Sequence, residues 1–431
     1  MKSIPPDGVP SPRLSAPLRA AGVVIGGLIL AYIGLTYIAA PRQSGDLLPL
    51  WLAGEAFADG TPVYAPADSL YRMVPPDGWT ERAIAAGYAG FVYPFVYPPL
   101  WAWVFAGLTR VTDFQTVAAV AGVLNPLLLL LTPVLAWRIA GAGLRLFPYV
   151  VISQVLIHMT AVGMIALNQN QAQILVSFLV LLALERSHSG RPFTAGAALA
   201  LAASIKLFPA VFALLWLASG ERRAFAAFAA VGAALGLASL AVAGWPLHAM
   251  FLSHVAAIGN TGFFSPLSFS FDSVATRMTD PVLVFVDLAD TRSDPGIFRT
   301  MTLAEKPAAV ALAGKVVLAL TIAGFALAMA RTGRAVRDGA LWPAALAVFP
   351  LIGPLAWGYY FISATAFAPV LIARFGWARG GALLCVVYTP ISLWASAVLS
   401  GLKSETQLIG ACLFLILGCA FVLSARRLRV A

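Results

Sequence analysis

Two residues in this chain stand where their chemistry is conspicuous. Lys206 lies in Ile205-Lys206-Leu207-Phe208-Pro209, between two apolar stretches. A lysine there is costly unless it faces water or a counter-ion, or snorkels its ammonium to a surface. A phosphate is an apt partner for such a point charge. Asp46 opens a polar segment, Gly45-Asp46-Leu47-Leu48-Pro49-Leu50-Trp51, just beyond the first apolar run. A carboxylate held within hydrogen-bond reach of a hydroxyl can take its proton as a general base. It can equally cap the helix that Leu47 onward predicts, and both roles can hold at once. Glu55, on the same segment, reads as structural before catalytic. Asn168-Gln169-Asn170-Gln171, with Gln173, sets consecutive neutral amides at a membrane boundary. They either cap a span or offer hydrogen bonds to a hydroxyl-rich ligand.

The elements that position these residues follow from composition. Of 431 residues, 60% are hydrophobic and 11% charged, with a mean hydropathy of +0.87. A soluble domain would carry roughly a quarter charged residues. Apolar runs near twenty residues recur from Ala20 to Leu423, which predicts a polytopic helical membrane protein. A formal charge of +10 would suggest nucleic acid in a soluble chain. Here the basic residues sit in short gaps between apolar runs and read as topology signals. Cys385, Cys412 and Cys419 all lie in apolar runs without a CxxC, so neither a disulfide framework nor a zinc site is indicated.

The Pro-rich head, Met1 to Arg19, reads as a disordered cytoplasmic tail, and 20–431 as a single transmembrane domain. Ala20–Ala40 lacks a clean cleavage site and reads as an uncleaved span. It crosses outward, placing a first outer loop at 41–115. Within that loop Pro98–Val111 is short for a crossing. Laid flat at the outer interface, with Trp101 and Trp103 as anchors, it leaves Arg138, Arg145, Arg186 and Arg191 inside. Phe193–Ile205 and Phe208–Ala218 then read as two short helices meeting at the outer side, with Lys206 at the bottom of a cavity. Further crossings are expected at Thr116–Trp137, Phe147–Leu167, Ala172–Leu184 and Ala224–Ala243. After a second outer loop at 244–306 come Pro307–Ala330, Leu341–Leu355, Phe361–Ala373, Gly380–Leu399 and Gln407–Ser424. The expectation is an all-α polytopic protein with about twelve spans and both termini cytoplasmic.

This topology uses basic residues alone, yet it collects the unusual polar residues on one face. The outer side receives Asp46, Glu55, Asn168 to Gln171, Lys206, His254, Asn260, Arg277 and Trp357-Gly358-Tyr359-Tyr360, as an active site would require. His158, inside a span, reads as a packed residue. The acidic scatter from Asp272 to Asp294 lacks metal-ligand spacing, no DxD stands in the first loop, and no Gly-rich phosphate loop lies in a cytoplasmic gap. No metal, cofactor or nucleotide is therefore expected. A transporter or flippase is the rival reading; it would place ionisable residues along the mid-membrane core and pair the two halves. Polar residues gathered at one face, with no evident internal repeat, favour an enzyme.

The order of motifs is Gly-Asp, then Ala-Gly-x-Ala with Gly-x-Pro-x-Tyr, then Tyr-Pro-Pro-Leu. Asn-Gln-Asn-Gln, Ile-Lys-Leu-Phe-Pro and Gly-Pro-Leu-Ala-Trp-Gly-Tyr-Tyr follow. From roughly Asp46 to Phe361 this resembles glycosyltransferase family 87, membrane enzymes of the GT-C class that include polyprenol-phosphate-mannose-dependent mannosyltransferases. The resemblance implies a GT-C-type fold and a sugar, such as mannose, carried on a polyprenyl phosphate. It implies inverting transfer to a lipid or glycan acceptor on the outer face of a bacterial plasma membrane. The family's first-loop aspartate maps to Asp46 as base and its broken-helix lysine to Lys206, here with Arg277 as a second phosphate ligand. Asn168, Gln169, Asn170, Gln171, Asn260, Trp357, Tyr359, Tyr360, Glu55 and His254 are the candidates for sugar or acceptor binding. Tyr359 stands where many members have histidine, and His254 and Tyr360 are the candidates to replace it.

Overall fold

The computed structural model describes residues 16–39, 43–66, 69–141, 143–292, 300–392 and 403–428. The expected tail thus lies outside the described residues up to Ser15, as does part of the expected Gly380–Leu399 crossing. Among the described residues, five helices are long and apolar enough to cross a membrane. They are Phe114–Ala140, Arg222–Gly259, Ala308–Arg331, Arg334–Ile352 and the stretch Thr406–Leu428 of the last helix. Five shorter apolar helices accompany them.

The bundle has two ends, joined by helices whose boundaries follow from local chemistry. Helix α5 (Phe114–Ala140) begins where Asp113 accepts a hydrogen bond from the Thr116 N–H at 2.7 Å. It ends at Gly141, whose φ of 55° suits glycine. Helix α8 (Gln173–His188) runs the same way, and α9 (Pro192–Ile205) returns. The chain then leaves the helix: Lys206 is extended, at φ −137° and ψ 131°, and Pro209 follows. Proline disfavours helix in the residue before it, so α10 (Ala210–Ala218) starts only after the break. This is close to the two half-helices expected from the sequence. Helix α11 (Arg222–Gly259) kinks at Gly244, φ 72°, near the expected end of its crossing.

The first loop forms a layer across one end of the bundle. Helices α2 (Leu48–Asp59) and α4 (Pro99–Leu108) pack so closely that a Cβ on Gly54 would lie 2.6 Å from the Phe105 carbonyl carbon. Helix α4 starts beside the break after α9, where the Trp101 indole donates to the Ser204 carbonyl at 2.7 Å. It leads into Phe114, which packs on Trp51 and Tyr88 of the same layer. Both ends of α4 are therefore at one end of the bundle.

Three expectations are corrected. The chain is not all-α: strands β1 (Thr261–Phe264), β2 (Val284–Asp287) and β3 (Thr300–Glu305) form an antiparallel sheet in the order β1-β3-β2. These segments are rich in Thr, Val and Phe, which suit a pleated, half-buried surface. They lie between apolar runs, where a span-length search overlooks them. The expected crossing Phe147–Leu167 is a helix only to His158, and resumes as Met164–Asn168 after a turn. The expected crossing Phe361–Ala373 is broken into a 3-10 turn, Gly358–Phe361, and two short helices, Ile362–Phe367 and Val370–Phe375.

Candidate active site

The site is built on a turn and the cradle that holds it. The main chain at Ser44 and Asp46 donates to the carbonyls of Asn168 and Gln169 at 3.0 and 3.1 Å. Ser44 and Asn170 both adopt left-handed backbone, φ 56° and 46°, and the Asn170 amide donates to the Ser44 hydroxyl at 2.9 Å. Such conformations cost energy in non-glycine residues and gather at functional sites. Gly45, next to Ser44, is tightly enclosed: a Cβ there would lie 2.4 Å from the Gln169 amide oxygen and 3.0 Å from the Tyr88 hydroxyl, so a larger residue would have to displace those side-chain ends.

The turn aims Asp46 away from its own helix. Helix α2 has Leu47 at its N-cap and no side-chain cap, so the expected capping role is overturned. Gly45 to Leu47 form a turn whose carbonyl acceptor for the first helical amides is Ser44. The Asp46 Oδ2 instead accepts from the Gln171 amide at 2.8 Å. Among the described residues no group hydrogen-bonds the other oxygen, Oδ1. Burial pushes the Asp46 carboxyl up to about 6, opposed by the Lys206 charge and the Gln171 hydrogen bond.

Lys206 faces this carboxylate from the break between α9 and α10. Its ammonium lies 4.7 Å from the centre of the Tyr360 ring and 5.3 Å from that of Tyr359, within cation–π range. Among the described residues it has no ion pair or side-chain hydrogen bond. Tyr360 stacks on Phe208 at 5.6 Å, and Tyr359 on Trp357 at 6.4 Å. Trp357 is held by a bridge to Ser268 in the second loop. The Asp46 charge also reaches Tyr88, Tyr93 and Tyr97. The result is one carboxylate and one ammonium close enough for their charges to interact, the ammonium over two tyrosine rings, each with bonding capacity unused.

The other expected site residues divide. Tyr359 and Tyr360 join Asp46 and Lys206, with Trp357 stacked behind Tyr359. Asn168 to Gln171 join them too, but as a support. Asn170 and Gln171 are 3% exposed, and their amides are occupied by Ser44, Ala118, Asn125, Tyr97 and Asp46. Glu55 is not brought in: it accepts from the Trp51 indole at 2.7 Å. His254 bonds the Ala65 carbonyl at 2.6 Å and packs on Tyr64 and Tyr71. Arg277 lies over Phe264 beside the small sheet, with no contact to Lys206. Asn260 is an exposed residue ending α11. Sequence reasoning missed Ser44, Tyr88 and Asn125. The polar Asn125 inside an apolar span was the available signal.

A family model described as Glycosyltransferase family 87 matches residues 95–334, more than half of the chain. The chain belongs to glycosyltransferase family 87. Within the matched stretch lie Tyr97, Gln171 and Lys206; Asp46 and Tyr359 lie on either side and reach them only through the fold. Among solved structures the chain is similar to ArnT from Cupriavidus metallidurans, in a crystal structure with undecaprenyl phosphate bound. Identity is 13%, covering 95% of this chain and 77% of that one, with a TM-score of 0.32. No curated protein matches the chain. Membership of the family and the long apolar helices make this a membrane glycosyltransferase.

Proposed function

We propose that this enzyme moves a sugar, a hexose such as mannose, from a polyprenyl-phosphate donor to an acceptor hydroxyl, with inversion, at the outer face of the membrane. The observation that carries the reading is the pair of unused groups: the free oxygen of Asp46 and the unpaired ammonium of Lys206, facing each other.

The roles follow from charge. The acceptor oxygen attacks the anomeric carbon while its proton passes to Asp46. The bond from that carbon to the phosphate oxygen breaks, and polyprenyl phosphate leaves with the electron pair. Lys206 binds the phosphate and stabilises the negative charge that grows on it. The rings of Trp357, Tyr359 and Tyr360 bound the space between. The break after α9 keeps the lysine at the end of the bundle, where a lipid headgroup can reach it.

The test is to incubate purified protein with a panel of polyprenyl-phosphate sugars and measure released polyprenyl phosphate. Release with one sugar, dependent on an added hydroxyl acceptor, is expected. No release from any member of the panel, alongside turnover of a nucleotide sugar, would overturn the donor class.

A further inference from the structure

Asp46 is held by more than its own backbone, and the contact on its side chain has a fixed sense. The Gln171 carbonyl oxygen accepts from the Tyr97 hydroxyl and from the Gln173 N–H, both at 3.2 Å. Its amide nitrogen must then face the carboxylate, at 2.8 Å. Flipping the amide would set oxygen against Asp46 and an NH₂ group against the Gln173 N–H, two repulsive contacts in place of two hydrogen bonds. At 3% exposure, Gln171 has no face open to a sugar.

We propose that Gln171 is a positioning residue: it occupies Oδ2 of Asp46, so that Oδ1 is the oxygen presented to the acceptor hydroxyl. The inference rests on the reading of Asp46 as base. The neighbouring segment fixes the Asp46 main chain through the Gln169 carbonyl, and Gln171 fixes the rotation of its carboxylate. A base that rotates freely spends part of its time with neither oxygen in line, and small misplacements are expensive in rate.

The consequence is measurable because a hydrogen bond to the ionised form favours that form. Removing the Gln171 donor should raise the pH at which Asp46 titrates. The groups facing Asp46 are Lys206 from the broken helix, Tyr88, Tyr93 and Tyr97 from the first loop, and Tyr359 and Tyr360 from the 3-10 turn. Lys206 is the one cation among them; Gln171→Met changes no charge among the six, although it frees the Tyr97 and Tyr359 hydroxyls that Gln171 bonds.

The experiment uses the full chain in lipid nanodiscs. The Asp46 carboxyl is followed as the infrared band that Asp46→Asn removes, titrated against pH. In Gln171→Met its midpoint should rise by about one pH unit, and in Tyr97→Phe by less, in the same direction. With polyprenyl-phosphate mannose as donor, kcat of Gln171→Met should fall on the order of ten- to a hundredfold at unchanged KM for the donor. The acid limb of its pH profile should move up with the midpoint. A Gln171→Met protein that melts lower but titrates as wild type would overturn the proposal, leaving Gln171 structural. If that variant does not fold, an unshifted midpoint in Tyr97→Phe overturns it instead. Retained activity in Asp46→Asn would sink the base reading separately, while the infrared midpoint still reports the contact.

Discussion

Both ends of the bundle carry charge, but they use it in opposite ways. At the far end two buried or half-buried carboxylates are matched by cations. Glu185 is fully buried and pairs with Arg138 at 2.8 Å and with Arg186, while accepting from the Ser189 hydroxyl at 3.0 Å. Asp338 pairs with His188 at 2.7 Å and with Arg334 at 3.5 Å. Arg337 and Arg374 donate to the Ser219 and Gly339 carbonyls. At the site end, Lys206 has only aromatic faces and Asp46 a single neutral donor. Matched charges bind helices together; a buried charge left incomplete is a standing cost that only a ligand can repay. Matched pairs stand in the outer loops too, Arg82 with Asp59 and Arg292 with Asp290, both at 2.7 Å, so what sets Asp46 and Lys206 apart is that each is left incomplete.

The largest effect is expected from Asp46→Asn. Asparagine cannot take the acceptor's proton, so turnover should fall on the order of 10² to 10⁴, read as released polyprenyl phosphate. In the wild type, turnover should fall as pH drops through about 6, where the carboxyl protonates. Stability changes in the opposite sense. Asp46 titrates higher in the folded state, so its favourable contribution is full below about 3.8 and gone above about 6. The neutral asparagine escapes that loss, and above pH 6 the variant should melt no lower than the wild type. A variant that melts lower and stays active would return Asp46 to a structural role.

Lys206→Ala should come next. Charge-assisted contacts are worth roughly 1.5–3 kcal/mol, so donor affinity should fall about ten- to a hundredfold. The fold should persist, because the half-buried Lys206 has no ion pair to lose. Unchanged affinity in a binding titration would mean that the ammonium merely reaches for water.

At the matched end, Glu185→Ala should do the reverse. Arg138 is half-exposed and can turn to water, but Arg186 and Ser189 lose their partner. A loss of about 1–3 kcal/mol in unfolding free energy is expected, with donor affinity per folded molecule unchanged. Lost affinity at unchanged stability would break the division between the two ends.

The sequence carried the two charged residues of the site and the helix break between α9 and α10. A lysine and a proline inside an apolar run leave few alternatives, because each is expensive where it stands. It did not carry the direction of the amides. Four consecutive amides promise hydrogen bonds, but whether to a sugar or to the chain depends on the distant turn at Ser44, which no local pattern encodes. The cap at Asp46 failed for a related reason: the helix starts one residue later than the pattern suggests, and the cradle offered the carboxylate a better partner. His254 and Glu55 were drawn in by chemical type, and packing in the first-loop layer sends both elsewhere. The small sheet escaped because strand signals are weak beside apolar runs of membrane length.

The smallest effect should come from the ring beneath the lysine. If Tyr360 contributes its face, Tyr360→Phe should bind donor as the wild type does, since the ring and its stacking on Phe208 remain. Tyr360→Leu keeps an apolar side chain but removes the ring face that lies 4.7 Å from the ammonium. A cation–π contact at a partly exposed site is worth about 0.5–1 kcal/mol, so donor affinity should weaken roughly two- to fivefold. The hydroxyl is the alternative, because a phenol can hydrogen-bond a phosphate or sugar oxygen directly. In that case phenylalanine would weaken binding as much as leucine. Equal losses in the two variants would move Tyr360 from holding Lys206 to touching the substrate.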